Sequence, residues 1–237
     1  MSNELRINSN PKSLFSESIK SIRTNLAFSF VGKDTKVILM TSPEAGDGKS
    51  YISANLAVAY AQEGKKVLLV DADLRKGRQH DIFDVANISS AGYSNLILNY
   101  KAGVKLSKYI LPTANKNVDL IPTGPTPPNP VELLATENNA KLIDKFKEDY
   151  DIIILDCPPV LGLSDALIMS QYSDVNILVV SSKKTKFESL DKAKKVFDQN
   201  GIKIGGVIVN KAQTKSSSYY SYYTNDYYYN KGRDGNK

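Results

Sequence analysis

Short unbroken apolar runs alternate along this chain with longer stretches whose apolar positions recur every three or four residues. Val37-Ile38-Leu39-Met40, Val67-Leu68-Leu69-Val70, Ile152-Ile153-Ile154-Leu155 and the stretches Val175 to Ser181 and Lys203 to Asn210 are of the first kind. They predict strands buried on both faces, as in a parallel sheet. Ile52 to Ala61, Phe187 to Gln199 and a short stretch from Tyr93 to Tyr100 are of the second kind and predict helices. Strands alternating with helices predict an α/β fold, a mostly parallel sheet covered by helices on both faces. Asn117 to Pro122 reads as a further short strand. Ahead of the first strand, residues 13 to 30 predict one more helix. Ser13 or Ser16 can cap it, and Ile19, Ile22, Leu26 and Phe30 recur on one face.

Between the first strand and the helix that follows stands Pro43-Glu44-Ala45-Gly46-Asp47-Gly48-Lys49-Ser50. Strand, glycine-bearing loop and helix in this order are the context of a phosphate-binding P-loop. Pro43 stands where the strict pattern has glycine. Gly46 and Gly48 let the backbone turn its N–H groups around an anion, at which the next helix also points its positive end. Lys49 supplies a mobile charge for the β- and γ-phosphates, and the Ser50 hydroxyl is placed for Mg²⁺. Ala45, Gly46, Asp47, Gly48, Lys49, Ser50 and Tyr51 are therefore the expected ATP contacts.

The second strand ends in Asp71-Ala72-Asp73 and the third in Asp156. Acids at the carboxyl ends of core strands lie on the rim where open α/β sheets bind ligands. The second strand is expected to pair with the P-loop strand through a crossover helix, which puts both ends on that rim. Asp156 suits a Walker B acid, with Mg²⁺ held by Ser50, Asp73 and Asp156. Cys157-Pro158-Pro159 forces an extended exit, with Cys157 as a small buried hydrophobe. Asn210, at the exit of the last strand, is a candidate for a base edge. Arg75, Lys76, Arg78 and His80 make a basic loop, in which the single histidine has no second ligand or base near it in sequence. In Gly124-Pro125-Thr126-Pro127-Pro128-Asn129-Pro130 the prolines exclude helix and central strand, and Asn129 with Pro130 launches a helix.

A chain of 237 residues supports one large α/β domain, expected over residues 32–212, with an N-terminal segment 1–31 ahead of it. One cysteine excludes an intramolecular disulfide and suits a reducing cytoplasm. No apolar run reaches the ~18 residues of a membrane span, and residues 1–12 lack the apolar core of a signal peptide. The net charge of +6 is scattered, which permits an anionic membrane surface or acidic partner and does not argue for nucleic acid. Glu17, Lys20 and Arg23 form a second, charged face on the first helix, suited to an oligomer contact. Residues 213–237 have no apolar periodicity and predict a disordered tail. Seven of the chain's 14 tyrosines stand there: Tyr219, Tyr220, Tyr222, Tyr223, Tyr227, Tyr228 and Tyr229. What repeats in the tail is the phenolic hydroxyl.

Pro43 to Ser50, Val67 to Arg75, Gly124 to Leu134, Ile152 to Pro159 and the terminal tyrosines together resemble the bacterial tyrosine kinases of capsule and exopolysaccharide synthesis. The proline-rich stretch and the tyrosine tail are the specific features, and the resemblance runs from about Lys12 to Tyr229. It implies a cytoplasmic P-loop kinase recruited to the membrane by a separate transmembrane activator, the polysaccharide co-polymerase protein. It implies that Asp71, Asp73 and Asp156 match Walker A′ and Walker B acids. It also implies that Glu17, Lys20 and Arg23 match the E-x-x-R-x-x-R interface of a homo-oligomeric ring, with Lys20 in place of an arginine. A cognate tyrosine phosphatase would reset the tail. For transfer of the γ-phosphoryl group to tyrosine, Lys49 and Mg²⁺ neutralise charge and Asp71 is the expected base, although roles can permute among Asp71, Asp73 and Asp156. The rival readings are an ATP-switched positioning protein of the Min and Par type and a non-catalytic ATP-bound scaffold. The positioning type carries an extra lysine at the second P-loop position, where this chain has Glu44.

Overall fold

The computed structural model describes residues 4–28, 36–85, 91–101 and 103–212. Phe30 and the seven tail tyrosines, with the expectations placed on them, lie outside the described residues. Among the described residues seven strands form one sheet: β1 (Lys36–Thr41), β2 (Val67–Asp71), β3 (Leu111–Pro112), β4 (Val118–Ile121), β5 (Ile152–Asp156), β6 (Val175–Ser181) and β7 (Ile204–Asn210). Their order is β3-β4-β2-β5-β1-β6-β7, and every pairing is parallel except β3 with β4.

The order corrects one expectation. β2 does not pair with β1, because β5 lies between them and pairs with both. The rim is kept, since all three strands run the same way. The register sets Asp71 opposite Asp156. Two acids far apart in sequence are thus delivered side by side by backbone hydrogen bonding alone.

Alternate residues of the central strands enter two different cores. Ile38, Met40, Leu69 and Ile154 pack against helix α3 (Lys49–Gln62). Val37, Leu39, Leu68 and Leu155 face the opposite way, onto α5 (Tyr93–Asn99), α7 (Glu137–Asp149) and α8 (Asp165–Ser170). This period of two, with both faces covered, is why these runs carry no polar residue before their ends. α9 (Phe187–Gln199) covers β6 with Ala193 and Phe197. β7, at the edge, leaves Val207 and Val209 exposed.

A short α1 (Arg6–Ser9) and α2 (Leu14–Phe28) add a layer over α3, which is buried along nearly its whole length. Ile19 and Leu26 enter the same core as Leu56 and Tyr60, each side chain contributing roughly 1.5–3 kcal/mol on burial. Ser13 caps α2: its Oγ accepts the Ser16 N–H at 3.2 Å. Helix α4 (Gln79–Phe83) follows the basic loop, and α6 (Pro130–Leu134) follows the proline-rich one. Asn129 does occupy the N-cap position of α6 with Pro130 behind it, but its side chain makes no capping hydrogen bond.

Candidate active site

The strand-to-helix turn at residues 42–49 brings the P-loop to the carboxyl rim, flanked by the ends of β2 and β5. Gly48, at φ 98°, adopts a left-handed conformation, and a Cβ there would lie 2.1 Å from Asn210 Nδ2. Both facts require glycine. A cleft of about 500 Å³ opens beside the loop, lined among others by Gly46, Lys49, Ser50, Asp73, Arg75 and Arg78.

Lys49 is the hub of the site. Its Nζ lies 3.1 Å from Asp73 Oδ2, 3.4 Å from Asp156 Oδ1 and 3.2 Å from Ser50 Oγ. Burial alone would lower the pKa of this ammonium, but the charges of Asp156, Asp73 and Asp71 outweigh it and hold the group well above the usual lysine range. The three oxygens around the ammonium are one hydroxyl and two carboxylates, the hard donors that Mg²⁺ prefers. They converge on one point, occupied here by a positive charge. Ser50, Asp73 and Asp156 therefore fit a hard cation. Among the described residues no three His, Cys, Asp or Glu side chains cluster as a metal site by themselves.

Asp71 lies deeper. It is fully buried, and its Oδ2 accepts the Gln79 N–H at 2.9 Å. Its Oδ1 has no hydrogen-bond partner among the described residues. Burial, with the charge of Asp156 next, pushes its pKa up to about 8. Gly77 makes room for it: a Cβ there would lie 2.7 Å from Asp71 Oδ2.

Several residues with no motif complete the site. Gln79 Nε2 bridges Ser50 O at 3.0 Å and Asp156 Oδ2 at 2.7 Å. Arg75 makes a two-point pair with the buried Asp165 at 3.2 and 3.4 Å. Asp47 turns its carboxylate away from the cleft: Oδ1 accepts from Thr185 Oγ1 at 2.7 Å and Oδ2 from the Glu44 N–H at 3.1 Å. Glu44 accepts from Ser189 Oγ at 2.6 Å. Asn210 Nδ2 donates to Asp47 O and its Oδ1 accepts the Lys211 N–H, so its amide is engaged with the loop. The Tyr51 ring meets Phe15 of α2 at a tilt of 46°, 5.1 Å between centroids. Cys157 is fully buried, as expected, and burial pushes its thiol well up.

On the charged face of α2, Lys20 pairs with Glu17 at 2.7 Å, both reaching solvent. Arg23 points elsewhere. It donates to Ala59 O at 2.7 Å and pairs with Glu63 at 2.5 Å, tying α2 to α3.

A P-loop with two strand-end acids around its lysine, on a parallel sheet, defines a nucleotide-binding domain built for phosphoryl transfer. The family model described as an AAA domain matches residues 35–200. The CapB protein of Staphylococcus aureus is 39% identical over 223 residues, covering 94% of this chain and 96% of that one. The tyrosine-protein kinase YwqD of Bacillus subtilis is 39% identical over 213 residues, covering 90% and 88%. Among solved structures, the kinase domain of the Escherichia coli tyrosine kinase ETK superposes with a TM-score of 0.83 at 29% identity, covering 90% of this chain and 82% of that domain. The chain belongs to the bacterial tyrosine kinases of capsule and exopolysaccharide synthesis, and its activity is that of a protein-tyrosine kinase. That settles the choice against a purely positioning or scaffolding ATPase.

Proposed function

We propose that this kinase, using ATP and Mg²⁺, phosphorylates its own C-terminal tyrosines in trans between subunits of a homo-oligomeric ring, and thereby regulates synthesis and export of capsule or exopolysaccharide. The observation that carries this reading is where the described chain leaves the fold. Asn210 and Lys211 are hydrogen-bonded to the P-loop itself, at Asp47 O and Gly46 O, 2.9 Å each. The acceptor tail is thus rooted beside the nucleotide site. Twenty-seven residues, Lys211 to Lys237, have a contour length of at most roughly 90 Å, which does not forbid reaching a neighbouring site.

Each chain group has a task. The P-loop N–H groups and Lys49 hold and neutralise the phosphates. Bound Mg²⁺, held by Ser50, Asp73 and Asp156, would supply further charge neutralisation. Asp71 accepts the tyrosine proton in its ionised form, which the neighbouring positive charge of Lys49 favours. Lys49 exchanges its carboxylate contacts for phosphate contacts when nucleotide enters. Glu17 and Lys20 stand ready on α2 for a subunit contact, and Arg23 would join them by giving up Ala59 and Glu63. A transmembrane activator brings the kinase to the inner face of the membrane. Each phosphate adds about −1.5 to −2 charges, so seven turn a tail of net charge +3 strongly negative and drive subunits apart until a tyrosine phosphatase acts.

The test mixes a Lys49→Met full-length chain with an active chain lacking residues 213–237, in Mg-ATP with the activator's cytoplasmic segment. Mass spectrometry of residues 216–237 is expected to find phosphotyrosine on the inactive chain. Unmodified tyrosines there would mean transfer in cis. A fully phosphorylated sample that still sediments as a ring would remove charge repulsion as the switch.

A further inference from the structure

Three consecutive P-loop carbonyls are each held from the side away from the cleft by a side chain belonging to no P-loop motif. Lys184 Nζ donates to Ala45 O. Lys211 Nζ donates to Gly46 O at 2.9 Å. Asn210 Nδ2 donates to Asp47 O at 2.9 Å. None of the described peptide bonds is cis. In a trans peptide the carbonyl and the next N–H lie in one plane and point in opposite directions. Anchoring these three carbonyls therefore aims the N–H groups of Gly46, Asp47 and Gly48 the opposite way. Within the described chain those three N–H groups donate to nothing. Unpaired donors in a row, in a loop with two left-handed glycines, form an anion cradle.

Lys211 carries a second sign of purpose. Its φ is 57°, the left-handed region where a lysine is strained and a glycine would not be. The strain is held on both sides. The Lys211 N–H donates to Asn210 Oδ1 at 2.8 Å, and Lys211 O accepts from Ser182 Oγ at 2.7 Å. Ser182 N–H also donates to Asn210 O at 2.9 Å. The fold forces this residue into a conformation in which its ammonium reaches the P-loop, 165 residues earlier in the chain. Lys184 does the same from the loop between β6 and α9, steered by Glu44 Oε2 at 3.8 Å.

We propose that Lys184 and Lys211 are positioning residues of the kinase. From the outer side of the P-loop their ammonium groups preset the peptide planes that receive the nucleotide's phosphates. They touch no reacting atom. Their contribution is to nucleotide affinity, because without them the loop must order itself on each binding event. This rests on reading residues 43–50 as the phosphate loop.

The test uses the full chain with Lys184→Met, Lys211→Met and the double variant. Affinity for a fluorescent ADP analogue with Mg²⁺ is measured, together with KM for Mg-ATP and kcat on a Glu/Tyr copolymer. Each single change is expected to weaken ADP binding and raise KM by roughly threefold to tenfold, the double change by more, with kcat within about twofold. Lys184→Arg and Lys211→Arg should restore affinity, since a donor of the same charge is what the carbonyl needs. A double variant that binds ADP as tightly as the unaltered chain overturns the inference. So does a loss confined to kcat, which would put the lysines on the transferring phosphate, or a failure of arginine to rescue. Both side chains are exposed, so the fold should persist; if the double variant melts early, the single variants decide. Lys49→Met separates this from the underlying reading. If it leaves ADP binding intact, the phosphate loop itself is misassigned. If it weakens binding while the Lys184 and Lys211 variants bind normally, only this inference fails.

Discussion

The two sides of the P-loop are held by opposite means. On the inner side Lys49, Asp71, Asp73 and Asp156 are all buried, and charge touches charge. Three acids share one ammonium, and one carboxyl oxygen of Asp71 has no partner among the described residues. On the outer side the contacts are single hydrogen bonds from Thr185, Ser189, Lys184, Asn210 and Lys211, running from a buried carboxylate outward to solvent-exposed ammonium groups. The inner side is electrostatically unfavourable until phosphate and cation arrive, because buried charges incur desolvation that one partner cannot repay. The outer side is satisfied already. The loop therefore keeps its shape from outside and its chemistry from inside, and the two should respond differently to substitution.

The largest effect is expected inside. Asp71→Asn keeps an acceptor for the Gln79 N–H and removes a buried carboxyl whose ionisation burial and Asp156 oppose. Tyrosine phosphorylation should fall by about 10²–10⁴-fold, the usual contribution of a general base, with nucleotide binding largely kept. At the same time the apo protein should melt higher above the ordinary carboxylate range, since folding no longer has to bury a carboxyl that is ionised in the unfolded chain, first against its desolvation and then against Asp156. A kinase assay and a thermal melt on one preparation check both signs. Phosphorylation at the original rate would take the base role from Asp71; a lower melting temperature would mean the carboxylate is not strained.

The inner side was legible in the sequence and the outer side was not, for a physical reason. Buried phosphate and metal chemistry tolerates few residue types, so Gly48, Lys49, Ser50 and strand-end acids at Asp71 and Asp156 announce themselves. The strands were legible too, because a sheet covered on both faces needs unbroken apolar runs. The position of β5 between β1 and β2 was not: pairing order depends on which strand docks where, and no local pattern records it. Gln79, Thr185 and Lys211 carry no spacing signal either. Thr185 and Lys211 meet the P-loop across 138 and 165 residues, and a threonine or lysine in a loop looks solvated until the fold is known. Arg23 makes a contact its spacing does not announce: with Glu17 and Lys20 it reads as one charged face, and its long side chain also reaches α3.

A smaller effect is expected from Thr185→Val. The substitution keeps the shape and deletes both the donor to Asp47 Oδ1, a carboxylate with no exposed surface, and the acceptor of the Ser181 N–H. Leaving a buried charged acceptor short of one bond costs about 1.5–3 kcal/mol. For a chain of this length that lowers the melting temperature by roughly 3–10 °C. The Glu44 N–H remains on the other oxygen, so folding should survive. An unchanged melt would show that Asp47 finds water when the hydroxyl goes, and that the outer side is less dry than its burial implies.

The smallest effect is expected from the same deletion one turn further on. Ser189→Ala removes the hydroxyl that donates to Glu44 Oε1 at 2.6 Å. The bond is short and its acceptor is charged, so by distance alone it should matter as much as Thr185. Exposure argues otherwise. The Glu44 side chain is 37% exposed, and Lys184 stands 3.8 Å from its other oxygen. Water can take the place of the lost hydroxyl, and the remaining ion pair is a surface one worth at most about 1 kcal/mol. The cost should stay below about 0.5 kcal/mol, a shift of no more than roughly 2 °C, with KM for ATP unchanged. Melting Ser189→Ala beside Thr185→Val sets a hydroxyl that only donates, to a half-exposed carboxylate, against one that donates to a buried carboxylate and also accepts the Ser181 N–H at 2.8 Å. If the two shifts match, the outer contacts act as one cooperative network and not as bonds graded by burial. The double variant then decides: shifts that add mean independent bonds, and a double variant no worse than either single means that one hydroxyl already holds the whole loop.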